Sequence, residues 1–405
     1  MAKSIKWLLD LLLPGPLRRW IRRLRSLVRD VWLPVYRVSQ AGLAVIQIGH
    51  EALDPYVTHT LYGEYLPPEK VGHVLVWNLG RAIRHWETRA DLVFYRNARF
   101  RPPEAVARRM LLLPYYVQQV VELPPAHQDL FAYFHSHNSA SRKSDLNSIR
   151  KANFLHEITR DPELLHHFYH ELYVPFMQER HGASAEVYPW PRFREIYGSM
   201  ELLLVRREGR LVAGIVNQQI GNVYRLHVAA LVGGDQDLLK TGGMAALYWF
   251  SFVEAHRRGC SVVDTGAARS FLKDGVLAYK RKWGARVSPS IYKTNLGLWC
   301  LACGRRPSLC RALEDNPFFC EQDGGLIGLI FLGDHTTLDD EEVARRLKQY
   351  LLPGERLSFR IVLLTREWAA RRPAIEQMVS GFPDAIRILD LSAGSMADLP
   401  GRLGD

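Results

Sequence analysis

The stretch between Glu201 and Gly266 leaves the chain few folding options. Glu201-Leu202-Leu203-Leu204-Val205-Arg206 leads through Glu208-Gly209 into an apolar run over 211–220, and Gly221-Asn222 turns that run into another over 223–232. Aliphatic and β-branched runs separated by turn dipeptides predict two consecutive antiparallel hairpins. Gly233-Gly234 then breaks the strand, and 244–257 reads as a helix ended by Arg258-Gly259. Ser261-Val262-Val263-Asp264-Thr265-Gly266 reads as a short buried strand running into a glycine turn. Hairpins followed by a helix and one more buried strand make an α/β protein.

The rest of the chain is consistent with that class. It has 405 residues, 47% hydrophobic and 11% aromatic, enough for two or three domains with sizeable cores. Five cysteines, an odd number, do not form a secreted disulfide framework and point to a reducing compartment. The apolar runs, such as 326–332, fall well short of the ~20 residues a spanning helix needs, which excludes a multi-span membrane protein.

The net charge of +11 is unevenly distributed. Residues 1–37 hold nine basic and two acidic groups, a local excess of +7, whereas the other 368 residues hold 44 basic and 40 acidic. Leu17, Trp20, Ile21, Leu24, Leu27, Val28, Val31 and Trp32 recur at spacings of mostly three and four, with arginines between them. That pattern predicts an amphipathic helix begun after Pro14-Gly15-Pro16 and stopped near Pro34. Asp10 and Pro14 interrupt the apolar region, so a secretory signal fits poorly. An arginine face opposite an apolar stripe suits the surface of an anionic membrane. The location expected is therefore cytoplasmic, peripheral to the inner face of the membrane; a terminal helix packed on the body is the plainer alternative.

Residues 38–134 read as mixed α/β without a diagnostic motif, with strands near 92–95 and 115–121. A basic stretch follows at 139–151, then a helix over 162–180 kinked at Pro175 and closed by Gly182. After 320, strand-like runs at 326–332, 357–365 and 386–391 alternate with helices at 339–351 and 367–380. This β-α-β-α-β order predicts a small parallel module.

One set of motifs carries a resemblance. The turn Lys240-Thr241-Gly242-Gly243 before a helix, the strand ending Val263-Asp264-Thr265-Gly266, and Asp274-Gly275-Val276-Leu277-Ala278-Tyr279-Lys280-Arg281-Lys282-Trp283-Gly284 form a series. It resembles the GNAT-fold acyltransferases of the Fem-type (FemABX-like) branch, which includes acyltransferases encoded with exopolysaccharide genes. The upstream Arg142, Lys151, Phe168-Tyr169 and Glu179-Arg180-His181-Gly182 follow in the expected order. The resemblance spans about residues 135–295. With it the chain reads as four segments: the basic helix at 1–37, a degenerate, irregular first lobe at 38–134 that resembles the family only loosely, the acyltransferase core at 135–320, and the module at 321–405, which lies outside the resemblance.

The resemblance also implies a reaction, transfer of an acyl group from acyl-CoA to an amine on a cell-envelope sugar, lipid or peptide. Donor binding is expected at Lys240, Thr241, Gly242, Gly243 and Lys280, where bare amides at a helix start can hold phosphate. That loop lacks the arginine/glutamine-and-glycine pattern of acetyl-CoA enzymes. Lys280 matches the lysine that faces the donor, and Asp264 is placed to orient the amine, to act as base, or to cap the Thr265-Gly266 turn. Tyr224 and Arg269 are expected on the acceptor side. His227 is a weaker candidate, an odd number of residues from Tyr224 and so on the opposite face of its strand.

Two rival readings stand beside this one. A charged tRNA is the alternative donor, and nucleic acid is a partner only in that case; a body with an excess of only +4 favours acyl-CoA. A degenerate GNAT fold serving as a membrane-tethered, non-catalytic scaffold is the other. Gly234 and Lys240-Thr241 lack the glycine that stands immediately before the lysine of a P-loop, and His170-Glu171 lacks the second histidine of a zincin helix. His166 and His170 have no third ligand nearby. Cys300, Cys303, Cys310 and Cys320 are spaced too irregularly for a zinc knuckle, so no metal and no tightly bound cofactor are expected.

Overall fold

A computed structural model describes residues 31–49, 55–96, 104–136, 140–181, 185, 187–234, 238, 241–289, 296–301, 307–322, 324–334, 336, 339–351, 357–381, 386–394 and 398–403. The fold is α/β, as the sequence predicts, and divides into two compact units. One takes 1–115, 270–272 and 292–405; the other takes 116–269 and 273–291.

Seventeen strands are described. The first five are β1 (Trp32–Gln40), β2 (Leu43–Gly49), β3 (Glu69–Leu75), β4 (Leu92–Arg96) and β5 (Met110–Pro114). The next seven are β6 (Tyr116–Glu122), β7 (Leu155–Thr159), β8 (Glu201–Arg207), β9 (Arg210–Ile220), β10 (Val223–Leu231), β11 (Val262–Arg269) and β12 (Arg286–Pro289). The last five are β13 (Leu296–Leu301), β14 (Phe318–Gln322), β15 (Gly325–Leu332), β16 (Ser358–Leu363) and β17 (Ile386–Asp390).

The first unit is built on a ten-stranded sheet ordered β17-β16-β15-β14-β5-β13-β4-β2-β1-β3. At its C-terminal end β15, β16 and β17 pair in parallel, joined by the helix Asp340–Tyr350 and the helices Arg366–Ala370 and Arg372–Met378, and they continue the same sheet through β14. Leu329, Phe331, Val362, Phe318 and Leu313 form part of its core.

At the other end of this sheet the sequence expectation needs correcting. Residues 1–30 of the basic segment lie outside the described residues, Val31 is helical, and Trp32 opens β1. β1 pairs with β2 on one side and β3 on the other, so Pro34 lies within a strand instead of ending a helix. A lone helical period loses to two flanking strands because pairing satisfies backbone groups on both sides of β1. The break in register at Val35/Tyr36 adjoins Pro34, which has no N–H to give the ladder.

The second unit carries a seven-stranded sheet, β12-β6-β11-β10-β9-β8-β7. Both predicted hairpins form: Glu208 and Gly209 take positive φ (53° and 76°) between β8 and β9, and Gly221 (59°) turns β9 into β10. Helix α1 (Ala140–Lys151), helix α2 (Gly243–Arg257) and helix α3 (Gly275–Lys282) belong to this unit. α2 is the crossover between β10 and the parallel β11, and it buries Ala245, Ala246, Leu247, Phe252 and Ala255. The bend predicted near Pro175 takes the form of a π-helical turn over Phe168–Tyr173, in which the Val174 N–H reaches back five residues to the Tyr169 carbonyl. Widening the turn just ahead of a residue without an N–H removes the mismatch a straight helix would carry. The turn lies tight on β9, since a Cβ on Gly214 would come within 2.7 Å of the Phe168 ring.

Candidate functional site

The Asp274–Gly284 segment explains most of its own sequence. Asp274 Oδ1 accepts the Leu277 N–H at 2.8 Å and so caps α3. Gly284, at φ +84°, takes the left-handed position after the helix. Trp283 is fully buried among Phe134, Tyr248 and Phe252. These residues are structural, which leaves Lys280.

Lys280 is 4% exposed, and its Nζ donates to the Ala267 carbonyl at 2.8 Å. Burial pushes its pKa down from 10.5 to about 8, against the opposing pull of the Asp264 and Asp274 charges. At neutral pH it is still mostly an ammonium, and a lysine ammonium has three N–H donors.

Its location is set by how two strands diverge. β10 and β11 pair only through Val223–Val262, Tyr224–Val263 and Arg225–Asp264. Beyond that point β10 follows β9 to Leu231, and β11 follows β6 to Arg269. Both neighbouring ladders shift register there, between Leu226 and Ala229 and between Asp264 and Ala267. His227, Val228 and Ala229 on one side and Gly266 and Ala267 on the other are half-buried. Lys280 reaches the start of this split: a Cβ on Gly266 would lie 3.4 Å from the Leu226 carbonyl oxygen and 3.7 Å from Lys280 Nζ. Glycine at φ +80° keeps that space open.

Asp264 is heavily engaged. Oδ1 accepts the Gly266 N–H at 2.9 Å and a contact from Gln118 Nε2, and Oδ2 accepts Arg225 Nε at 2.8 Å. Bound to a guanidinium and two N–H donors, this carboxylate is a structural clamp at the last paired position before the split. Of the roles open to it from sequence, the turn cap is present in this geometry.

The acceptor-side candidates separate. Tyr224 faces the core, fully buried, its hydroxyl donating to Glu201 at 2.7 Å beneath the Arg258 guanidinium. A side chain closed off in that way does not line an open cleft. Arg269 lies 4.6 Å over the Tyr116 ring at the far end of β11. His227 is beyond the split; its Nε2 is buried and has no hydrogen-bond partner among the described residues. Burial and the nearby Arg225 push its pKa down to about 4.

Of the predicted donor loop, Lys240 lies outside the described residues. Thr241 is half-buried, its hydroxyl 3.5 Å from the Leu238 carbonyl. Gly242 and Gly243 are buried; a Cβ on the first would sit 3.6 Å from Ser148, and on the second 3.0 Å from the Leu238 carbonyl. Gly242, at φ +95°, faces α1, and Gly243 lets the start of α2 pass close to the Leu238 carbonyl. Cys310 and Cys320 are buried thiols outside any disulfide, and no group of three or more potential metal ligands occurs among the described residues.

Three residues escaped the sequence reading. Arg225 and Gln118 clamp Asp264, and Gln119 donates from within the sheet to the Leu277 carbonyl of α3 at 3.2 Å. The adjacent glutamines in an otherwise apolar strand were the available signal. Arg142, read only as part of a basic stretch, is 5% exposed, sits 5.7 Å over the Phe134 ring, and reaches the Lys282 carbonyl at the end of α3.

No family model matches the chain, and no curated protein matches it. Among solved structures it is similar to FemX, at 13% identity over 67% of this chain and 89% of that one (TM-score 0.35). It is similar also to L-PGS from Bacillus licheniformis, at 10% identity over 66% and 80% (TM-score 0.32). A GCN5-related N-acetyltransferase from Sphaerobacter thermophilus aligns at 13% identity over 65% and 74% (TM-score 0.31).

Proposed function

We propose that the second unit is an acyltransferase of the GNAT type, Fem-like branch, that moves an acyl group from an activated donor to an amine. The observation that carries this reading is the buried Lys280 ammonium at the point where β10 and β11 part. Acyl transfer to an amine breaks the bond from the acyl carbon to the donor, forms a C–N bond and releases a proton from the attacking nitrogen. Negative charge gathers on the acyl oxygen as the nitrogen adds. A fixed cation in a dry site meets that charge without reorganisation, which is the condition under which such stabilisation is strongest. In this scheme the Ala267 carbonyl holds the ammonium in place, the Arg225–Asp264–Gln118 clamp fixes the strand junction, and the remaining Lys280 N–H groups face the acyl oxygen.

Acyl-CoA is the donor favoured, with Thr241, Gly242 and Gly243 as the donor-side turn and a cell-envelope amine as acceptor. The test is thermal stabilisation of the full chain by acyl-CoAs and by aminoacyl-tRNA, in wild type and in Lys280→Met. Stabilisation by one donor class that Lys280→Met weakens supports the reading and selects the donor. Stabilisation by neither favours the scaffold, and stabilisation unaffected by the substitution removes Lys280 from the site.

A further inference from the structure

The first unit contains a cavity that the transferase reading does not use. β15, β16 and β17 end side by side, with Leu332 paired to Leu363 and Leu363 paired to Asp390. The chain leaving each strand lines one space of about 560 Å³: Asp334 after β15, Leu364, Thr365 and Arg366 after β16, Ser392 and Ala393 after β17. Pro307 and Cys310, from the helix Pro307–Asp315, close it from another side. Ligand sites of small molecules span ~300–1,000 Å³, and the carboxyl ends of parallel strands are where such sites form in open α/β sheets.

The lining is differentiated. Leu364, Cys310 and Ser392 are buried and form the floor, whereas Asp334, Arg366 and Ala393 are exposed. Among the described residues Asp334 and Arg366 make no ion pair or hydrogen bond, so opposite charges border the cavity unpaired. Thr365 accepts the Trp368 N–H and fixes the turn from which Arg366 projects. Ser392 is held by its own N–H, bonded to Asp390 Oδ1 at 2.7 Å.

We infer that this cavity binds a small phosphorylated polyol, a sugar phosphate or a nucleoside monophosphate. Arg366 supplies the guanidinium that matches a phosphate, and Ser392 in the same lining offers a hydroxyl. Asp334 accepts from sugar hydroxyls, which a bare anion does not offer. Leu364, Pro307 and Ala393 supply apolar wall for a ring. The two separate charges select a ligand that offers an anionic group to Arg366 and hydroxyl donors to Asp334.

The experiment is calorimetric titration of the full chain with inorganic phosphate, ribose, ribose 5-phosphate, AMP and UMP. Saturable one-to-one binding of a phosphorylated ribose, at least about tenfold tighter than phosphate or ribose alone, is the expected result. Arg366→Gln should weaken it about tenfold, Asp334→Asn should erase the advantage over inorganic phosphate, and Ala393→Trp should abolish binding by filling the mouth. Lys280→Met should leave it unchanged, so the outcome is independent of the transferase reading. Absence of saturable binding up to about 5 mM for every ligand would overturn the inference, as would equal binding by Arg366→Gln and Ala393→Trp.

Discussion

Lys280 Nζ donates to the carbonyl oxygen of Ala267, on a strand that has just left its parallel neighbour. This bond holds a buried ammonium with no carboxylate in direct contact, and the behaviour of the site follows from it.

Lys280→Met should reduce turnover by about 100-fold or more, the scale for removing a preorganised electrostatic donor. Stability should move the other way. The lysine titrates near 8 when folded and near 10.5 when unfolded, so between those values the unfolded chain binds more protons and folding strengthens as pH rises. Below pH 8 the desolvation cost, about 3 kcal/mol, is fully present. Denaturant midpoints should therefore show Lys280→Met more stable than wild type at pH 7, with the gap closing toward pH 10.5. A gap independent of pH would show that Lys280 titrates normally.

The rate should fall as pH rises through about 8, when the ammonium loses its proton. Asp264→Asn should move that limb to lower pH, because the Asp264 charge supports protonation of Lys280. It should also cost about 2 kcal/mol of stability through loss of the Arg225 ion pair. An unshifted pH–rate limb in Asp264→Asn would uncouple the two residues.

His227 governs the acid side. Its folded pKa near 4 lies below its ordinary 6.5, so stability should decline as pH falls from 6.5 to 4. His227→Gln should flatten that part of the profile while leaving stability at pH 8 unchanged. A wild-type curve already flat over this window would count against the burial of this ring.

Much of the second unit was legible in its sequence because the signals were local. Hairpin dipeptides, a strand ended by glycine and the cap–helix–glycine pattern of 274–284 each determine structure over a few residues. The clamp around Asp264 was not legible, since Gln118 and Asp264 lie 146 positions apart and meet only through β6–β11 pairing. The same limit explains Tyr224: alternation shows which residues share a strand face, but not that this face meets Glu201 and Arg258. The basic segment failed at its boundary for the opposite reason. Its helical period ran up to Trp32, and only partners at Leu43–Gly49 and Glu69–Leu75 make the next residues a strand.

That boundary alters how the membrane expectation must be tested. Removing 1–37 would delete most of β1, whereas removing 1–30 leaves the strand whole. No helix among the described residues is long and apolar enough to cross a membrane. The shorter truncation should retain the wild-type thermal midpoint and lose sedimentation with vesicles containing anionic lipid. Undiminished sedimentation would place the contact elsewhere.

The strand β13 belongs between β5 and β4, yet it follows them by some 180 positions of chain, all of the second unit intervening. A ribosome must therefore emit the whole second unit before the first sheet can be completed. Until then the facing edges of β4 and β5 await their partner, and such unfilled edges favour pairing between nascent chains. Production of the intact protein should be most sensitive to whatever delays synthesis or folding between residues 116 and 291.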